Sequence, residues 1–160
     1  MLVGSHFKEK ILNSQTLELI GRSMAVNFSR RIDFPMVDLA GIVYYPIYWD
    51  LAHRFFEQTW NEICGMDYSK IIKELKIGFP VVKNNCDFLA PLRYGDTVHC
   101  KIWISEIGTK SCTWKYSYQN QHNDEVWNAT VVTVCVDMNT LKSITIPQNL
   151  YEGLQSCSHD

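Results

Sequence analysis

Residues 38–63 constrain the fold most, because they join an acidic loop to a long helical pattern. Pro46 favours a helix that begins at Tyr45 and Pro46, since proline lacks an N–H that the first helical position would leave unpaired, and its φ is already helical. The residues that follow predict one long helix with a single buried face. The buried positions are Tyr48, Ala52, Phe55, Phe56, Thr59 and Ile63, and the polar ones opposite are Asp50, Arg54, Glu57 and Asn61.

The residues before this helix place an acid close to free backbone donors. N–H groups in the first turn of a helix have no intrahelical acceptor, and they attract anions and carbonyl oxygens. Asp38 lies shortly before that turn, across a bend that contains Gly41. We therefore expect an acid and electrophile-binding donors in one corner of the molecule. The alternative is that Asp38 only orders the loop before the helix.

Downstream of the helix the apolar period changes from helical to strand-like. A meander of this length twists, and the helix has an apolar face to bury. We therefore predict an α+β fold in which an antiparallel sheet of about five to six strands wraps around one long helix. The predicted strands are 25–32, 79–89, 98–104, 112–118, 126–136 and 144–146, and 69–76 forms one or two further helical turns.

Length and composition predict one domain. A chain of 160 residues that is 46% apolar buries a sizeable core. We assign 24–152 to this domain, 1–23 to an N-terminal extension that is partly helical or tag-derived, and 153–160 to a C-terminal tail.

The net charge of -2 gives no electrostatic reason to bind nucleic acid. Because no apolar run has the length of a signal peptide or a membrane span, we predict a cytoplasmic protein without membrane contacts.

Several catalytic chemistries are disfavoured by the motifs. The six cysteines contain no Cys-x-x-Cys pair and mostly lie in apolar runs, which is typical of buried, reduced thiols. No Gly-x-Ser-x-Gly elbow is present, so a Ser or Cys nucleophile has little support. The five histidines are scattered without ligand spacing, and we predict no metal site.

The order of elements and the acidic loop resemble the hot-dog-fold acyl-CoA thioesterases of the 4-hydroxybenzoyl-CoA thioesterase family. The similarity covers about 24–152 and is carried by 31–34, by 38–46 with the sequence DLAGIVYYP, and by Tyr48. Weaker matches lie at 110–111 and 141–147. Two positions depart from the family pattern. Leu39 stands where proline is frequent, and His53 stands where the 4-hydroxybenzoyl type has a second aspartate that meets the substrate hydroxyl.

The resemblance implies roles for particular residues. Asp38 is implied to be the catalytic acid, as nucleophile or general base, and the N–H of Tyr45 to polarise the thioester carbonyl. A homodimer or homotetramer with active sites at the subunit interface is also implied. Substrate-binding roles fall to Gly41, Tyr44, Trp49, His53, Phe56 and Trp60, and contacts to coenzyme A phosphates to Lys110 and Lys142.

These inferences predict a thioesterase that hydrolyses an acyl-CoA or aroyl-CoA to the free acid and coenzyme A without a further cofactor. A neutral imidazole at His53 supplies no fixed negative charge, so we expect weak selectivity for a para-hydroxyl group. One alternative is a hot-dog dehydratase acting on 3-hydroxyacyl thioesters, which the Asp38 loop disfavours because it contains no histidine. Another is a non-catalytic dimer that binds acyl thioesters. Acyl-carrier protein in place of coenzyme A remains open.

Overall fold

A sheet of five antiparallel strands packs around one long helix in the computed structural model, which describes residues 24–158. The predicted α+β class is confirmed. The predicted extension over 1–23 lies outside the described residues, as do residues 159–160 of the predicted tail. The elements are β1 (Val26–Arg31), a 3-10 helix (Phe34–Met36), α1 (Tyr45–Cys64), α2 (Tyr68–Lys73), β2 (Ile77–Gly78), β3 (Val81–Phe88), β4 (Thr97–Ile107), β5 (Ser111–Gln119), β6 (Glu125–Val134), β7 (Val136–Asp137) and α3 (Gln148–Ser156).

The strand order across the large sheet is β1-β4-β5-β6-β3. The prediction of one continuous meander is wrong for β3, which pairs with β6, Asn84 lying opposite Val131, and not with β4. The reason is that β1 occupies the outer edge of β4, where Arg31 lies opposite Thr97. Strand β3 is therefore an edge strand, and β2 pairs with β7 in a separate two-stranded sheet.

Helix α1 begins where the sequence predicts, and it ends at Cys64, before Gly65, a residue type that is common at helix ends. Proline occupies its first turn, and Gly65 follows its last residue in the left-handed conformation, with φ of 62°. The N–H of Gly65 donates to the carbonyl of Asn61 at 2.9 Å, which satisfies one of the last carbonyls of the helix. The buried face differs from the prediction, because Leu51 and Trp60 are also buried and Ile63 is only partly buried. It consists of Tyr48, Leu51, Ala52, Phe55, Phe56, Thr59 and Trp60.

Aromatic contacts to α1 extend from one edge of the large sheet to the other. Phe28 on β1 stacks on Phe55 with ring centroids 5.4 Å apart. At the opposite edge, Phe88 on β3 meets Tyr48 edge to face at 5.2 Å. Because both edge strands touch the same helix, the sheet must curve around it, and each aromatic pair adds about 0.5–1.5 kcal/mol beyond the burial of its area.

The C-terminal part of the chain differs from the prediction. Residues 144–146 do not form a strand, since Ser143 makes only a single bridge, to Val136. The chain instead enters α3, which the sequence analysis did not predict. Leu150 and Leu154 on α3 are completely buried, so this helix belongs to the core.

Helix α3 extends past residue 152, the predicted end of the domain, into the predicted tail of 153–160. A Cβ atom at Gly153 would lie 2.9 Å from the carbonyl oxygen of Ile63 and would clash with the sulfur of Cys64. Glycine thus allows α3 to pack closely against the end of α1. Within residues 24–158, no helix has both the length and the apolar character needed to cross a membrane.

Candidate active site

The acidic loop before α1 is a small hairpin held by main-chain hydrogen bonds. The N–H of Asp38 donates to the carbonyl of Ile42 at 2.9 Å, and the N–H of Tyr44 donates to the carbonyl of Met36 at 3.0 Å. At the tip, the N–H of Gly41 donates to the carbonyl of Asp38 at 2.9 Å. Gly41 has φ of 74°, which a residue with a side chain rarely adopts, so glycine suits this turn.

The Asp38 carboxylate is exposed and oriented by its own loop. One oxygen, Oδ1, accepts the N–H of Ala40 at 2.8 Å, which is the hydrogen bond of an Asx turn. No other donor to this carboxylate is found among residues 24–158. The side chain is therefore fixed at one oxygen, while the second oxygen is free to meet a substrate or a water molecule.

The start of α1 is anchored to the segment that follows β3. The N–H of Val43 donates to the carbonyl of Leu92 at 2.8 Å, and the N–H of Leu92 donates to the Tyr48 hydroxyl at 3.3 Å. Burial raises the pKa of Tyr48, so its phenol stays protonated. The N–H of Tyr45 has no acceptor in the described part of the chain, so this donor is available at the helix N-terminus.

Asp38 and the first turn of α1 face one cavity, which we call the loop cavity. Its volume is about 620 Å³. The structure thus brings three of the predicted site residues together, Asp38, Tyr44 and Tyr45, while Gly41 shapes the turn without lining the cavity. The other lining residues are Ile42, Val43, Tyr48, Phe88, Leu89, Ala90 and Pro91.

A second cavity, which we call the aromatic cavity, lies further along the same gap between α1 and β3. Its volume is about 430 Å³, within the range of small-molecule sites. Of the predicted acyl-binding residues, Trp49, His53 and Phe56 line it. Its other lining residues are Ala52, Glu57, Tyr68, Ile72, Phe79, Pro80, Val81, Asn84, Tyr116, Val131 and Thr133.

Trp60 lines neither cavity. Its side chain is completely buried, and its ring packs against Phe56 at 5.9 Å and Phe79 at 4.7 Å. We therefore assign Trp60 to the core and not to the wall of the acyl site, because full burial leaves no surface for a substrate.

Glu57 is a lining residue that the sequence analysis missed. Helical periodicity placed it on the polar face of α1, yet it lines the aromatic cavity together with His53. The two side chains form a pair, with 3.2 Å between His53 Nε2 and Glu57 Oε1. Their spacing of four residues was the available signal, since such residues are neighbours on a helix.

Lys110 and Lys142 each hydrogen-bond through their backbone to the chain segment that contains β7. The carbonyl of Lys110 accepts the N–H of Cys135 at 2.7 Å, and the carbonyl of Lys142 accepts the N–H of Asp137 at 3.0 Å. Both side chains are exposed. Neither lysine lines the loop cavity or the aromatic cavity. Their role as phosphate contacts stays a prediction.

The cysteines are poorly suited to nucleophilic catalysis. All six are free thiols, and four of them are buried. Burial raises the pKa of Cys112 and of Cys135 to about 11, so almost no thiolate forms near neutral pH. Among residues 24–158, no three His, Cys, Asp or Glu side chains are placed to hold a metal ion.

The sequence is similar to that of proteins with a known thioester substrate. A model of the thioesterase-like superfamily matches residues 15–154. A 1,4-dihydroxy-2-naphthoyl-CoA hydrolase of Crocosphaera subtropica is 25% identical over 138 residues, which are 82% of this chain and 100% of that protein. The corresponding hydrolase of Nostoc punctiforme is 24% identical over 139 residues, 86% of this chain and 91% of that protein.

Solved structures with the same architecture include thioesterases. A gentisyl-coenzyme A thioesterase is 28% identical, with a TM-score of 0.72 over 79% of this chain and 99% of that one. A 1,4-dihydroxy-2-naphthoyl-CoA thioesterase from Synechocystis is 20% identical, with a TM-score of 0.75 over 81% of this chain and 95% of that one. The identity to the Synechocystis structure is low enough that the likeness shows a shared fold only.

Proposed function

This chain belongs to the thioesterase-like superfamily, and from that premise we propose that it hydrolyses aroyl-CoA thioesters at the Asp38 loop. The family match confirms the predicted hot-dog thioesterase, and the chain is a thioester hydrolase. Its relatives act on 1,4-dihydroxy-2-naphthoyl-CoA, and one similar structure is a gentisyl-coenzyme A thioesterase. Both acyl groups are aromatic, which supports an aroyl substrate for this chain.

The observation that carries the proposal is the loop cavity. Asp38 and the first turn of α1 line the same space of about 620 Å³. A carboxylate and a free backbone donor on one wall are the two groups that acyl transfer from a thioester requires. The cavity is open to solvent, so water can reach the reacting carbonyl.

Asp38 acts as a carboxylate. It either attacks the carbonyl carbon, which forms an acyl-aspartyl anhydride and expels the coenzyme A thiolate, or it takes a proton from the water that attacks. In the first case water then hydrolyses the anhydride and regenerates Asp38. A thiolate is a good leaving group, so a thioester needs no strong general acid at this site. The reaction needs no cofactor beyond the coenzyme A of the substrate.

The N–H of Tyr45 stabilises the negative charge that develops on the carbonyl oxygen. It is the first N–H of α1, where the partial positive charge of the helix dipole adds to the hydrogen bond. Loss of one such donor typically costs about 3 kcal/mol of transition-state stabilisation. The donor is main chain, so the phenol of Tyr45 takes no part in it.

The aromatic cavity holds the acyl group. It follows the loop cavity along α1, because Tyr48 lines the loop cavity and Trp49 lines the aromatic cavity. Phe56 and Trp49 present apolar ring surface to a flat aromatic acyl group. Lys110 and Lys142, which are exposed outside both cavities, are proposed to contact the phosphates of coenzyme A.

We also propose that two chains pair along β3 and complete the site. One edge of this strand has no pairing strand among residues 24–158, and such edges are normally covered. Large apolar side chains on and after it are exposed, Val82 by 59%, Phe88 by 51% and Leu89 by 53%. Light scattering should therefore give at least a dimer, and a monomer at micromolar concentration would contradict the pairing.

A panel of thioesters tests the proposed function. Thiol release is measured with benzoyl-CoA, hydroxybenzoyl-CoA, a medium-chain acyl-CoA and the matching acyl-carrier-protein thioesters. We expect the highest kcat/KM with an aroyl-CoA. A 3-hydroxyacyl-CoA is included and followed by the absorbance of an enoyl product, which a dehydratase would form. Absence of thiol release from every member of the panel would contradict the proposal and favour a protein that only binds thioesters.

A further inference from the structure

We infer that Glu57, paired with His53, selects acyl groups that carry a hydrogen-bond donor remote from the thioester. This inference deepens the proposed function and rests on it. The sequence analysis considered His53 alone and predicted weak selectivity, because a neutral imidazole has no fixed charge. The structure adds a carboxylate 3.2 Å from that imidazole, on the wall of the aromatic cavity.

Two buried hydroxyls of the aromatic cavity already have hydrogen-bond partners. The Tyr68 hydroxyl accepts the N–H of Phe79 at 2.9 Å. The Thr133 hydroxyl accepts the indole N–H of Trp114 at 3.0 Å. The neutral polar groups left in the wall are the Tyr116 hydroxyl, for which no partner is found among residues 24–158, and the Asn84 amide, and most of the rest is apolar or aromatic. Glu57, beside His53, therefore supplies a carboxylate to a lining whose other residues are apolar, aromatic or neutral polar.

The pair presents acceptors to a substrate. His53 Nε2 and Glu57 Oε1 lie 3.2 Å apart, and a carboxylate oxygen has no proton to give, so it can only accept. Both oxygens of Glu57 are acceptors, and a neutral imidazole adds one acceptor nitrogen. The His53 ring also stacks on Phe56, with centroids 5.8 Å apart and planes at 22°, which limits its rotation.

An acceptor pair discriminates by what the ligand can donate. A phenolic hydroxyl on the acyl ring gives its proton to Glu57 and makes a charge-assisted hydrogen bond. A methyl group of similar size has no proton to give, and it would displace water from the carboxylate without replacing that hydrogen bond. Sites built around such a hydrogen bond reject the analogue that lacks the group.

The location of the pair at the rim of the cavity is consistent with this role. The two side chains are exposed by 63% and 53%, so a bound acyl group can reach them and cover them. In the free protein the pair is an ordinary surface contact of a helix, which contributes little to stability. Its effect is therefore expected on substrate choice and not on folding.

The experiment compares matched substrates across three proteins. The kcat/KM values of 3- and 4-hydroxybenzoyl-CoA are measured against those of 3- and 4-methylbenzoyl-CoA. The proteins are the wild type, Glu57→Gln, which keeps the shape and removes the charge, and Glu62→Gln. Glu62 is another exposed glutamate on α1 that lines neither cavity, so it serves as the control.

We expect the wild type to prefer one hydroxyl isomer over its methyl counterpart by about tenfold or more, the size of one charged hydrogen bond. In Glu57→Gln this ratio should fall to about threefold or less, while Glu62→Gln keeps the wild-type ratio. A wild-type ratio near one, or a ratio unchanged in Glu57→Gln, overturns the inference and leaves the proposed function standing. A wild type that hydrolyses none of the four overturns both.

Discussion

The loop cavity and the aromatic cavity lie along the same helix but are built in different ways. Asp38 is exposed, and its position is set by hydrogen bonds within residues 36–44. The aromatic cavity is enclosed by side chains from α1, α2 and the strands β3, β5 and β6, and Phe56 belongs to its buried lining. The comparison indicates that local backbone geometry positions the proposed reacting group, whereas tertiary packing forms the proposed acyl site.

The largest effect on stability is expected in the aromatic cavity. Phe56→Ala removes a buried ring that contacts Trp114 and Tyr68, each at a centroid distance of 5.0 Å. It should lower the free energy of unfolding by about 3–5 kcal/mol, measured by urea denaturation. The control is Phe34→Ala, whose ring is 72% exposed. A loss below about 1 kcal/mol for Phe56→Ala would mean that the cavity is not part of the core.

Asp38→Asn should show the opposite behaviour. Its carboxylate is exposed, so the free energy of unfolding should change by less than about 0.5 kcal/mol. The loss of charge should lower kcat with an aroyl-CoA by at least about 100-fold, the scale of a general base. Asp33→Asn, an exposed aspartate of the neighbouring segment that lines neither cavity, is the control. A folded Asp38→Asn protein within about tenfold of the wild-type kcat would contradict the assignment.

The two lysines should affect binding more than chemistry. Lys110→Ala and Lys142→Ala each remove a proposed, exposed phosphate contact of about 1 kcal/mol, so KM should rise about fivefold while kcat changes less. The effect should shrink as salt is added, because exposed charges are screened. Lys101→Ala, which alters an exposed lysine on the outer side of β4, should leave KM unchanged. Unchanged KM in both site variants at low salt would remove the assignment.

The smallest effect is expected for Tyr45→Phe. The proposed donor is the main-chain N–H, which this substitution retains, so kcat should change by less than about threefold. A loss above about tenfold would show that the phenol itself takes part in the reaction. Steady-state kinetics of Tyr45→Phe and of Tyr44→Phe, its neighbour in the loop cavity, distinguish the two cases.

The sequence predicts features whose causes are local. Pro46 marks the start of α1, and Gly65, at φ of 62°, marks its end. The turn at Gly41 follows from the same kind of signal. By contrast, the place of β3 at the sheet edge depends on which strand pairs with β4, and no pattern within β3 encodes that choice. Helix α3 was missed because no Ser, Thr, Asp or Asn caps its N-terminus, where Pro147 stands.

The residues of the candidate site divide in the same way, into those with local causes and those that depend on tertiary packing. Asp38 is identified from its neighbours in the chain, since the turn and the helix start are adjacent to it. The exposure of Glu57 to the aromatic cavity depends on where α2 and β3 pack against α1, so helical periodicity alone assigns it to solvent. Trp60 was placed in the acyl site because periodicity does not distinguish a cavity wall from a fully buried position.

The most direct test of the central claim is the affinity of Asp38→Asn for a thioether analogue in which a methylene group separates the carbonyl carbon from sulfur. This ligand cannot be hydrolysed, so its Kd can be measured by calorimetry for the variant and for the wild type alike. If Asp38 serves the reaction and the cavities serve binding, the two Kd values should agree within about threefold, while kcat differs by about 100-fold or more. A Kd for Asp38→Asn that is weaker by a factor close to the loss in kcat/KM, with kcat little changed, would contradict the account, because Asp38 would then be a binding residue.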